Sequence, residues 1–338
     1  METVLFLAHT EADGTLSKAA LEALGAAQSL GGTLVAGLVG GAVEKAADAA
    51  AGACARILAV TGEAFTQARY ATDAAAAEAL SRAAGATLVV APATSRWARV
   101  LPGVAHRLGG VADTHVTDIA AGEAGPAVTR WYYRQRMEGV LARAKRPWIV
   151  LLESGCHAPY EGAAGAATVE AVAVDLPPAR TTVSGVRAPA ADEQTIRPDA
   201  NLLFVAGAGW TKKQADGKPH VEEAEVLILE FLRRAKASLG GSKSLVDLSG
   251  EGQAVLRCMS HLNQIGQTGA TPRHPKGLST CCHGEEPHVV GWRFVNERRV
   301  VNLDPNCGWA RGKADVLYVA DAFAVMQKLN ALLAERAG

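Results

Sequence analysis

The chain has 338 residues, too many for one average domain and too few for three, so two domains are expected. Its residues are 49% apolar and 20% charged, and 34 Lys+Arg balance 34 Asp+Glu, so the formal net charge is zero. That excludes wholesale disorder, a broad nucleic-acid footprint and a polybasic membrane patch. No run approaches the ~20 apolar residues of a membrane span, the opening METVLFLAHTEADG has no charged leader region, and the six cysteines have no regular spacing. The expectation is a soluble chain with free thiols in the cytoplasm or another reducing compartment.

The first half reads as alternating strands and helices. VLFLA (4–8) and TLVAGLV (33–39) are short apolar runs, separated by helical spacing from Ser17 to Leu30. RILAV (56–60), an alanine-rich helix from about Thr72 to Ala84, and TLVVAP (87–92) repeat the pattern. A helix after Pro102, then AVTRWYY (127–133) and PWIVLLE (147–153), complete a mostly parallel sheet with antiparallel edge strands. Alanine falls from 51 in residues 1–200 to 16 in 201–338, and 175–201 is proline-rich without periodicity. The expected division is a domain at 1–175, a linker at 176–200 and a second domain at 201–338.

The second half opens on the strand LLFVAG (202–207). A helix is expected from His220 to Leu239, stopped by Gly240-Gly241. RVVNLD (299–304) and ADVLYVAD (314–321) read as strands and Asp321 to Ala337 as a closing helix. The fold class is therefore α/β, with two doubly wound domains.

Three constellations could carry chemistry. GAGWTKK (207–213) begins like a dinucleotide-binding turn, but Lys212 stands where the third glycine belongs, so a plain turn is favoured. Gln264 to His288 gathers glycines, Gln267, Thr268 and three histidines; on residue chemistry alone, a binding loop and a polar surface loop stand even. Cys281, Cys282 and His283 lack the spacing of a zinc site, so no metal is expected. A Cys–His nucleophile pair is possible there, and buried thiols are the commoner outcome.

The second half also resembles the electron transfer flavoprotein alpha subunit family. GGSKSLVD (240–247), IGQTG (265–269), HGEEPH (283–288), VNLDP (301–305) and AD (314–315) follow the family's motifs in the same order. The first half resembles the family's opening strand and helix, then its A-P-A-T and L-P-R-V-A segments in TLVVAPATSRWARVLPGVAHRLG. The resemblance implies a Rossmann-like FAD-binding second domain and no catalytic residues of its own. It implies a heterodimer with a beta subunit, and a flavin that carries electrons from a dehydrogenase to an acceptor.

By position the resemblance puts Ser242 and Lys243 at the isoalloxazine, Gln264 to Gly269 (Gln264, Ile265, Gly266, Gln267, Thr268, Gly269) along its edge, and His288 at the pyrimidine carbonyl. His283, Gly284, Glu285, Glu286 and Pro287 would wrap the diphosphate, and Asn302 and Asp315 would hold the adenosine end. The chain departs from the family in three places: Lys243 replaces its flavin arginine, Gly209-Trp210 its arginine turn, and Glu285-Glu286 small neutral residues. The alternatives are a flavin-free scaffold subunit and a Cys–His hydrolase using Cys281 or Cys282.

Overall fold

The computed structural model describes residues 2–122, 125–133, 137–176, 178, 180–185, 196–197, 199–247, 255–265, 271–280, 294–307, 310 and 314–337. The chain divides into two compact units, residues 1–133 with 137–186, and residues 187–338.

In the first unit, β1 (Thr3–His9), β2 (Thr33–Gly40), β3 (Arg56–Thr61) and β4 (Leu88–Pro92) alternate with α1 (Lys18–Ser29), α2 (Glu44–Ala50) and α3 (Tyr70–Ala83). Next come α4 (Ser95–Arg107), β5 (Val111–Gly122), β6 (Gly125–Tyr132), β7 (Met137–Leu141), β8 (Trp148–Leu152) and β9 (Val169–Ala171). They form one nine-stranded mixed sheet in the order β7-β6-β5-β8-β4-β1-β2-β3-β9. Only the β5–β6 and β6–β7 pairs are antiparallel. Successive residues of β1 serve opposite faces: Val4, Phe6 and Ala8 join the core under α1 and α2, and Leu5 and Leu7 join the core under α3 and α4.

Helix starts follow local chemistry. The Ser17 hydroxyl caps α1 by accepting from the Ala20 N–H at 3.3 Å, and Thr94 does the same for α4 through Trp97. The helix expected after Pro102 therefore begins at Ser95, and Pro102 lies inside it. An N-cap threonine outweighs one missing backbone donor in the middle of a well-buried helix.

The second unit contains β10 (Leu202–Ala206), α5 (Val221–Ala235), β11 (Ser238–Gly241), α6 (Lys243–Asp247), β12 (His274–Thr280), β13 (Val295–Asn302), β14 (Val316–Val319) and α7 (Ala322–Ala337). All five strands are parallel, in the order β11-β10-β12-β13-β14. One core places Phe204, Ala206 and Trp210 against α5 and α7; the other joins Leu203, Val205, Ile265, Val300 and Cys307.

Two expectations change here. α5 ends earlier, with Lys236 in the left-handed region (φ 51°) as its cap. Gly240 and Gly241 end β11 instead of stopping a helix. A Cβ at Gly240 would lie 2.6 Å from Ile265 Cγ2, so the glycine lets the chain around 265 close onto the strand. The second change concerns the stretch Gln264 to His288, which is not one loop: HPKGLST (274–280) is β12, the middle strand of the sheet.

Among the described residues, no helix is long and apolar enough to cross a membrane.

Candidate functional site

Open parallel sheets bind ligands outside the carboxyl ends of their strands, at the point where strand order reverses. In the second unit that point lies at β10, whose neighbours are β11 on one side and β12 on the other. One register line crosses the sheet near its carboxyl edge, Gly241–Ala206–Thr280–Val301–Tyr318. Four strand spacings make it about 19 Å long.

Ser242, Lys243, Gln264 and Ile265 come together at the β11 end of this line. The Ser242 N–H donates to the Ala206 carbonyl at 2.9 Å, and the Ile265 N–H donates to the Gly241 carbonyl at 3.1 Å. Gln264 bridges to Gly241 in parallel register. A short turn, His261–Asn263, presents that segment: Ser260 and Asn263 form a capping box, and the Asn263 amide donates to the Leu239 carbonyl at 3.2 Å. Within the cluster, Ser242 is buried, and its hydroxyl accepts from the Leu245 N–H at 3.3 Å as the start of α6. Lys243 is exposed, the only cation of the four.

Asn302 ends β13 at the far side of the same edge. Its Nδ2 donates to Cys307 Sγ at 3.2 Å, and its Oδ1 accepts from the Asp304 N–H at 3.0 Å. Asp315 does not join it: it precedes β14 at the amino edge, where its carboxylate accepts from the Arg298 N–H at 2.6 Å. Four residues of extended chain, about 13 Å, separate that position from the carboxyl end.

A carboxylate that does stand at the carboxyl edge is Asp321, which no motif in the sequence singles out. It caps α7 through the Phe323 N–H at 3.1 Å, and the adjoining Ala320 N–H donates to the Asn302 carbonyl at 3.2 Å. The signal was present in its place at the start of a helix expected to follow a strand. Gly266, Gln267, Thr268, Gly269, His283, Gly284, Glu285, Glu286, Pro287 and His288 lie outside the described residues, as do Cys281 and Cys282.

The first unit also buries charge, but its own fold uses that charge. Asp73 takes Arg96 in a two-pronged pair at 2.6 and 2.9 Å. Asp113 accepts at 2.9 Å from Arg130, Arg143 and the Trp148 indole, tying β5, β6 and β8 together. Although burial opposes it, hydrogen bonds from these two arginines hold the Asp113 carboxyl below the usual range. Burial pushes the Cys54 thiol to about 12 and, with Glu225 nearby, the Cys258 thiol to about 11, so neither offers a thiolate near neutrality. Among the described residues, no group of three or more His, Cys, Asp and Glu could hold a metal ion.

No curated protein matches the sequence. A family model, the electron transfer flavoprotein domain, matches residues 4–177. That span takes in the parallel strands and helices of the first unit and more than half of the chain, so the chain belongs to the electron transfer flavoprotein domain family.

Proposed function

We propose that this chain is an alpha-type electron transfer flavoprotein subunit, a redox carrier and not an enzyme with a substrate of its own. In this reading residues 201–338 bind FAD, and residues 1–175 contact a beta-type partner. When bound, the flavin supplies the electron chemistry, taking electrons from a dehydrogenase and yielding them to an acceptor.

One observation carries the reading. The family membership of the first unit is joined, in the second, to a parallel carboxyl edge about 19 Å long with a cation at one end and Asn302 and Asp321 at the other. That edge fits a dinucleotide laid across the strands. In this reading Lys243 and Gln264 would meet the isoalloxazine. Asn302 and Asp321 would face the adenosine, with Asp321 and not Asp315 at that edge.

The chemistry of these groups agrees. With FAD bound, Lys243 would offset negative charge on the ring, and the backbone and amide donors of the cluster would already be in place. Ser242 acts indirectly, holding the first turn of α6 and hence the start of the Lys243 side chain. The described cysteines are free thiols, in keeping with a cytoplasmic home.

Purification with a beta-type partner, followed by a visible spectrum, tests the proposal. A yellow complex with flavin maxima is expected. A complex that stays colourless after incubation with FAD would overturn it and favour a flavin-free scaffold subunit.

A further inference from the structure

A large side chain follows the two glycines that GAGWTKK shares with dinucleotide-binding turns, at a position where such turns accept any residue. Trp210 lies four residues beyond Ala206, the last residue of β10, at the strand-order reversal, and is fully buried. α5 starts only at Val221, so the N-terminus of that helix is not the immediate continuation of the turn, as it is in a G-x-G-x-x-G motif.

Trp210 instead reaches sideways. Its indole N–H donates to Thr280 Oγ1 at 2.9 Å, and Thr280 is the last residue of β12. The Gly207 N–H donates to the Thr280 carbonyl at 2.8 Å, so the end of β12 is held by two bonds from one short turn. The other side of the indole meets Phe323, with ring centroids 4.6 Å apart. Phe323 stands in the first turn of α7, and its N–H is the one bonded to Asp321.

One side chain thus bears on the point where the chain leaves β12 and on the helix start that presents Asp321. We infer that Trp210 is a positioning residue for the adenosine end of the carboxyl-edge site. This deepens the proposed function and rests on it. Its role is indirect: it holds Thr280 at the end of β12 and packs on Phe323 in the first turn of α7, from which Asp321 is presented.

The test uses the full chain in the assembly that binds flavin, with FAD and ADP as calorimetric probes at a temperature where every variant is folded. Trp210→Phe keeps a ring against Phe323 but loses the N–H, and Thr280→Val loses the acceptor at nearly constant shape. Each is expected to weaken both FAD and ADP about fivefold, the effect of one net hydrogen bond. The double variant should lose less than the two single losses combined, because both remove the Trp210–Thr280 bond, although Thr280→Val also removes the bond its hydroxyl donates to the Val205 carbonyl at 3.4 Å. Thr280→Ser should retain the original affinity.

Unaltered FAD and ADP affinity in both single variants, or a Thr280→Ser variant as weak as Thr280→Val, would overturn the inference. So would losses that merely follow each variant's melting temperature. If the unmodified assembly binds neither FAD nor ADP, the proposed function itself falls.

Discussion

Glu22 is a carboxyl with almost no exposed surface, set on α1 and accepting from the Gly155 N–H at 2.7 Å and the Ser154 hydroxyl at 3.2 Å. Burial pushes its pKa above the ordinary 4.5, although those donors, with Lys18 and His157, pull the other way. A folded-state value above the unfolded one means that the folded chain binds the proton more tightly. The stabilisation is complete below the unfolded value and is lost as pH rises through the folded one. Urea unfolding from pH 4 to pH 8 should therefore show a downward contribution that Glu22→Gln removes; an identical slope in the variant would assign it to another group.

At the same scale, Lys243 decides the electronic part of the proposal. A unit charge about 4 Å from the ring is worth on the order of 4 kcal/mol at an effective dielectric near 20, and solvent around an exposed lysine reduces that. Lys243→Ala should lower the potential of the first electron, and Lys243→Arg should preserve or raise it. Spectro-electrochemical titration of the three proteins gives the answer: equal potentials would place the lysine away from the flavin.

Among the elements, β11 shows how close packing builds the site. Its glycines admit the segment that carries Gln264 and Ile265, and a methyl group at Gly240 would meet the branched Ile265 side chain at 2.6 Å. At Gly241 the nearest obstacle is the mobile end of Met259, at 2.3 Å. Gly240→Ala is therefore expected to destabilise the protein by about 1–3 kcal/mol, as overpacked cores do, and Gly241→Ala by less. Chemical denaturation, with hydrogen exchange across 259–265, checks the order; equal costs would contradict the packing argument. The antiparallel strands β6 and β7 depend on a different device, the buried Asp113 and its two arginines, which no hydrophobic pattern announces.

Over the whole molecule, the expectation is an obligate partnership. Tyr318 and Val319 are exposed on β14, and Tyr133, Met137 and Val140 are exposed on or beside β7, so one edge strand of each sheet carries uncovered apolar side chains. A stable partner would bury upwards of ~2,000 Å². Expressed alone, the chain should aggregate or lose flavin, and co-expression with a beta-type subunit should give a soluble 1:1 complex. A monodisperse, FAD-replete monomer would contradict this.

The amino-acid order alone specified the alternation of strand and helix, because β1, β2, β4 and β10 are continuous apolar runs and α1 and α7 have helical spacing. It also carried the motifs that resemble a flavoprotein. What it left open were features set by distant partners. β12, as HPKGLST, has almost no local strand signal; it is a strand because β10 and β13 offer ladders on both sides and because His274 finds the Arg197 carbonyl at 2.8 Å. The three residues of β9 owe their form to β3. Asp315 and Asp321 are equally acidic and six positions apart in the chain. Only the direction and register of β14 place one at the amino edge and the other at the carboxyl edge, where parallel strands receive their ligands.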